Sequence, residues 1–153
     1  MNRFAGCVLL LTLLVFSPVA APADSAAADD AARQVAAAFL KAIGGKSVED
    51  ALKVCDAPFI TDGQKILTSR DAIREYLTSM LAGASPDDMA NEILGVVPYE
   101  KMREVTDAKV LKVRDQVLKD GDRLVGIGRN KLARGFLLVR MRGSSAAVAG
   151  IGF

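Results

Sequence analysis

The chain has 153 residues, 51% hydrophobic and 25% charged, with 20 Lys and Arg against 18 Asp and Glu, a formal net charge of +2. A balance this close to neutral gives no case for nucleic-acid binding. The absence of histidine excludes Ser-His-Asp and Cys-His nucleophilic arrangements and histidine metal sites, and the two cysteines are too few for a thiolate metal cluster.

The N-terminus reads as an export signal. Arg3 supplies a positive start, Val8 to Phe16 is an apolar run of nine, Ser17-Pro18 breaks it, and Ala21-Pro22-Ala23 offers the small residues a signal peptidase reads. Residues 1–23 are expected to be a signal peptide and the protein to be secreted or periplasmic. The run is shorter than the about 20 residues needed to cross a bilayer, so no stable membrane insertion is expected after cleavage. Cleavage after Ala23 would leave 130 residues, enough for one domain with a core. Residues 24–31 (DSAAADDA) are small and polar and are expected to be a flexible linker, with a single domain over 32–153. Cys55 is then the only cysteine, no intramolecular disulfide is possible, and its place on an apolar helical face reads as a small buried hydrophobe.

Charge is unevenly divided. Residues 24–108 hold 9 basic and 15 acidic groups, residues 109–153 hold 10 basic and 3 acidic. Either the basic end attracts an anionic ligand or acidic surface, or the two halves complement one another within the fold or across a dimer.

In chain order, Ala32, Val35, Ala36, Phe39, Leu40 and Ile43 draw one apolar stripe down a helix, and Gly44-Gly45 ends it. Ser47 caps a second short helix carrying Val48, Ala51, Leu52 and Cys55 on one face. Pro58–Thr61 and Gln64–Thr68 read as strands joined by a two-residue primed turn at Asp62-Gly63. Thr68 or Ser69 caps a third helix with Ile73, Tyr76, Leu77, Met80 and Leu81 on its buried stripe. Ser85-Pro86-Asp87-Asp88 starts a short helix expected to run from Pro86 to Leu94. Pro98–Thr106 reads as a helical turn or a strand, and Val110–Val117 as a helix capped by Asp107 and reaching Leu118, or as an exposed strand. Strands are expected over Arg123–Arg129, Gly135–Arg142 and Ala146–Phe153, with Asn130–Arg134 as a basic loop. Leu137, Val139 and Met141 alternate with Phe136, Leu138, Arg140 and Arg142, so one face is apolar and the other turns cationic. Gly126, Gly128, Gly150 and Gly152 lie inside these strands and mark bends or close packing.

The stretch VAAAFLKAIGGKSVEDALKVCDAPFITDG followed by SRDAIREYLTSML resembles the N-terminal half of the nuclear transport factor two-like superfamily, which includes ketosteroid isomerases, SnoaL-like polyketide cyclases and non-catalytic binding domains. The likeness covers about residues 32–82. It implies an α+β fold in which three N-terminal helices pack in the concave face of a strongly bent antiparallel sheet, a cone with an interior pocket, often dimeric through the sheet. It also implies strands in the ambiguous segment 98–118. In the steroid isomerases a hairpin carboxylate moves a proton and a first-helix tyrosine stabilises the enolate oxygen. Asp62 resembles that base, but the tyrosine position falls on Phe39, which has no donor, and losing one such donor costs roughly 3–4 kcal/mol.

Tyr76, Tyr99 and Arg140 are candidate ligand-binding residues, Arg140 as an anion anchor beside Phe136 and Leu138. No cofactor is expected. The reading is an exported domain that binds a small hydrophobic or anionic ligand or a protein, without catalysis. The alternatives are an isomerase, cyclase or hydratase-type enzyme with Asp62 as general base, and a structural homodimer.

Overall fold

Alanine carries the first helix well ahead of its apolar stripe. The computed structural model describes residues 22–62 and 65–152, so the expected signal peptide lies outside them except for its last two residues. Helix α1 spans Pro22–Gly44. Residues 24–31, expected to be a flexible linker, are therefore helical: alanine costs least of all residues to hold in a helix. Asp29 also pairs with the buried Arg123 at 2.6 Å, which ties this turn to the sheet.

Local capping sets the next elements. Ser47 accepts the Asp50 N–H at the start of α2 (Val48–Val54), and Ser69 accepts the Ala72 N–H at the start of α3 (Arg70–Gly83). Between them lie β1 (Cys55–Thr61) and β2 (Lys65–Leu67), so Cys55 opens a strand instead of closing the helix. Thr61 pairs with Lys65, which leaves three residues between the strands where a two-residue turn was expected. Ser85 and Asp88 form a reciprocal capping box on α4, a single turn over Pro86–Met89.

The helix expected to continue to Leu94 gives way to β3 (Glu92–Pro98). The reason is tertiary: Ile93 and Val96 pair with Ile127 and Val125 and pack into the core there. Residues 98–118 hold α5 (Tyr99–Met102) and α6 (Ala108–Arg114), where the resemblance implied strands. Asp107 caps α6 by accepting the Lys109 N–H, and α6 stops short of Leu118 because Val117 and Leu118 turn inward and are buried. Strands β4 (Arg123–Arg129), β5 (Leu132–Arg142) and β6 (Ser145–Gly152) end the chain.

The protein is thus α+β, with six helices and a six-stranded open sheet of order β2-β1-β6-β5-β4-β3 among the described residues. The sheet is mixed where a purely antiparallel one was expected, because β1 runs parallel to β6. Parallel neighbours need a long crossover, and everything from β2 to β5 supplies it. The β1–β6 ladder is interrupted: Cys55 faces Val148, but the next pair is Ile60 with Gly150. Residues 56–59 bulge out of register there.

Strand alternation gives the sheet two cores. Val125, Ile127, Leu137, Val139, Val148 and Ile151 pack in one cluster with residues of α1, α2 and α3. Leu124, Leu138 and Ala149, on the other face, pack with Ile60, Tyr99, Val117 and Leu118.

Candidate functional site

A cavity of about 320 Å³ opens between the helices and the first of these sheet faces. Phe39, Leu40 and Ile43 line it from α1 because the same stripe that buries the helix faces inward at its C-terminal end. Met80, from the last turns of α3, and Met89, from the one-turn α4, form a second wall, and Ile127 and Ile151 form the floor. The lining holds no lysine or arginine, so nothing in it compensates an anion.

Two residues with polar side chains, Asp88 and Asn91, are among those that line this cavity. The Asp88 carboxylate accepts the Ser85 hydroxyl at 2.6 Å and the Ser85 N–H at 3.0 Å, which holds its carboxyl below the usual range. A carboxylate so held is a poor proton acceptor. Asn91 is differently placed. Its Nδ2 donates to the Asp88 carbonyl at 2.8 Å, and its Oδ1 is buried with no hydrogen-bond partner among the described residues. A buried acceptor left unpaired costs about 1–3 kcal/mol.

Of the site candidates, Asp62, Tyr76, Tyr99 and Arg140 do not line this cavity, whereas Phe39, the position matched to the isomerase tyrosine, does. Asp62 is exposed at the head of the β1–β2 hairpin in the left-handed conformation, φ +41°, as its place before Gly63 suggests. Tyr76 lies close enough for the Asp62 charge to be felt, and lines a separate cleft of about 270 Å³ with Thr61, Lys65 and Glu75. Its ring packs against Phe59 with centroids 6.2 Å apart. Tyr99 is fully buried in the second core, where its hydroxyl donates to Asp115 at 2.8 Å and Arg103 lies over its ring while pairing with Asp115 and Asp120.

Arg140, expected as an anion anchor, is committed to the protein. It pairs with Asp56 at 2.8 Å and donates to the carbonyls of Pro58 at 2.8 Å, Ala57 at 3.4 Å and Val117 at 3.3 Å. These β1 carbonyls belong to the segment that leaves the β6 ladder, and Arg140 replaces the lost partners. Arg142 also pairs with Asp56.

Part of the division of charge is met within the fold. Arg123, Arg129, Arg140 and Arg142 of the basic end pair with Asp29, Asp87 and Asp56 of the acidic part.

Three groups make stability depend on alkaline pH. Burial pushes the Cys55 thiol up to about 12. Burial, then the Asp62 charge, pushes Tyr76 up to about 12. Burial, then the bond to the Asp115 carboxylate, does the same for Tyr99. Each holds its proton more tightly folded than unfolded, so its contribution is complete below the ordinary values of 9.0 and 10.0 and is lost as pH rises toward 12. The urea midpoint is expected to stay level from neutral pH to about 8.5 and then fall. Tyr99→Phe should flatten the part of the fall above pH 10. A midpoint that rises above that pH would contradict these assignments.

The chain matches no protein-family model and no curated protein.

Proposed function

We propose that the protein is an exported, non-catalytic binding domain built like the nuclear transport factor two-like proteins, whose ligand is a small neutral apolar molecule carrying one hydrogen-bond donor. In this reading the open sheet curves around α1, α2 and α3 as a cone, and the cavity is its interior pocket. The element order and the shared core of the three helices with one sheet face support that architecture. Export rests on the pattern of residues 1–23.

The observation that carries the ligand class is Asn91 Oδ1, a buried acceptor without a partner among the described residues, on a residue of a wall that is otherwise almost wholly apolar. The cavity size suits about one or two rings, at the small end of ligand sites. The cation-free lining and the ionised Asp88 argue against an anionic ligand at this position. Asp88 is also the only carboxylate in the lining, and its lowered pKa suits a capping role better than proton transfer.

The test is a pair of probes matched in shape. 2-Naphthol should bind about fivefold to tenfold more tightly than naphthalene, as one hydrogen bond to an otherwise unpaired acceptor implies. Asn91→Leu should remove that preference while naphthalene still binds. Equal affinities in the wild type, or a preference that survives Asn91→Leu, would overturn the reading.

A further inference from the structure

The opposite face of the sheet holds a cation without a counter-ion among the described residues. Arg114, the last residue of α6, is only 7% exposed, and its Nε is buried with no hydrogen-bond partner. Arg123 and Arg140, the other arginines buried against the sheet, each pair with a carboxylate; Arg114 pairs with none among the described residues. Its guanidinium lies instead over the Phe136 ring, 4.7 Å from the centroid. A desolvated cation is costly unless something supplies negative charge.

Beside this pair the sheet is bare. Gly95, Gly126, Phe136 and Gly152 stand in register across β3, β4, β5 and β6. A Cβ on Gly152 would run into the Phe136 ring, so the ring covers that glycine. Gly128 and Gly150 are also packed too closely for a side chain, a Cβ on Gly150 coming within 2.8 Å of the Ile60 carbonyl. Gly95 and Gly126 differ: a Cβ on the first meets nothing within 4 Å, and one on the second meets only the Gly95 carbonyl at 3.9 Å. Packing therefore does not require glycine at either position. Together they leave a flat floor two strands wide, about 4.8 Å between strands, the breadth of one aromatic ring. Val97 and Leu94 of β3, both more than a third exposed, extend the apolar margin.

We propose that this face is a second binding site, in which Arg114 holds the carboxylate of a small aromatic acid whose ring lies on the bare backbone of Gly95 and Gly126 beside Phe136. One guanidinium matches one negative charge, which favours a carboxylate over a doubly charged phosphate. A planar body suits a floor with no side chains. The site is separate from the cavity, and neither depends on the other.

Benzoate is the probe and benzyl alcohol its neutral control, titrated into ¹⁵N-labelled protein. Benzoate should shift the Gly95 and Gly126 amides and the Arg114 Nε–H resonance saturably, and benzyl alcohol should not. Arg114→Met keeps an apolar stem on Phe136 and should weaken benzoate binding by about tenfold or more, as loss of a charged hydrogen-bonding partner implies. Gly126→Leu occupies the floor, its Cβ meeting only the Gly95 carbonyl at 3.9 Å. It should abolish the shifts while the thermal midpoint and 2-naphthol binding stay unchanged, which separates this site from the cavity. Equal shifts from benzoate and benzyl alcohol, or wild-type benzoate affinity in either variant, would overturn the proposal.

Discussion

Arg140→Met is expected to lower stability by about 3–5 kcal/mol while leaving 2-naphthol binding unchanged, because removing one member of a buried charge network strands the others. Arg140 spans the gap that opens where β1 leaves its ladder with β6. It meets the Asp56 carboxylate and the carbonyls of Ala57 and Pro58, and it reaches them from β5 over Ala147, the small residue opposite it on β6. Methionine keeps the apolar stem but leaves those carbonyls unpaired and Asp56 with Arg142 alone. For a domain stable by about 5–15 kcal/mol, that is a large share. Arg140→Lys should fall between, since an ammonium cannot present the planar fork that serves several acceptors at once. Urea unfolding measures the loss; a change in naphthol affinity without a change in stability would return Arg140 to the role of ligand anchor.

Asp122→Ala should cost a similar amount, about 3–5 kcal/mol, by leaving two N–H groups without acceptors. Asp122 is wholly buried at the start of β4. One carboxylate oxygen accepts the Met141 N–H at 2.7 Å and the other the Lys119 N–H at 2.9 Å, while its own carbonyl accepts the Tyr99 N–H at 2.9 Å. The side chain therefore ties the end of β5 to the turn before β4, while the main-chain carbonyl, which the substitution leaves in place, holds the residue that opens α5. Asp122→Asn keeps one acceptor but turns an N–H toward a donor, so it should lose roughly half as much. Chemical denaturation gives the order wild type, Asn, Ala; an alanine variant as stable as the wild type would show that water replaces both bonds.

What could be read from the sequence was what neighbouring residues decide among themselves. Ser47, Ser69, Ser85 with Asp88, and Asp107 each cap the helix that follows them, because a cap is satisfied within three residues. The alternation of Leu137 and Val139 with Leu138 sorted the two faces of β5, and those faces belong to two cores.

Distant pairing left no such mark. Nothing near Glu92–Pro98 shows that Ile93 will face Ile127, so a capped turn followed by apolar residues read as a longer helix. The parallel pairing of β1 with β6 joins residues about ninety positions apart, and the β1 acceptors that occupy Arg140 lie 82 to 84 positions away.

The sites suffered from the same blindness. Tyr76, Tyr99 and Arg140 have the chemical type that a site needs, yet each spends its polar atoms or its ring within the fold or beside another cleft. Asn91 and Arg114 carry no motif. They stand out only because Asn91 Oδ1 and Arg114 Nε are buried without a hydrogen-bond partner among the described residues, a property of packing and not of spacing.

The most direct test of the binding reading is a crystal structure of the protein as purified, together with mass spectrometry of what organic solvent extracts from it. The account predicts a retained neutral molecule among Phe39, Met89 and Ile127, with its donor on Asn91 Oδ1. A collapsed cavity in which Asn91 Oδ1 is bonded to a protein donor, with no molecule extracted and no uptake of 2-naphthol, would contradict it.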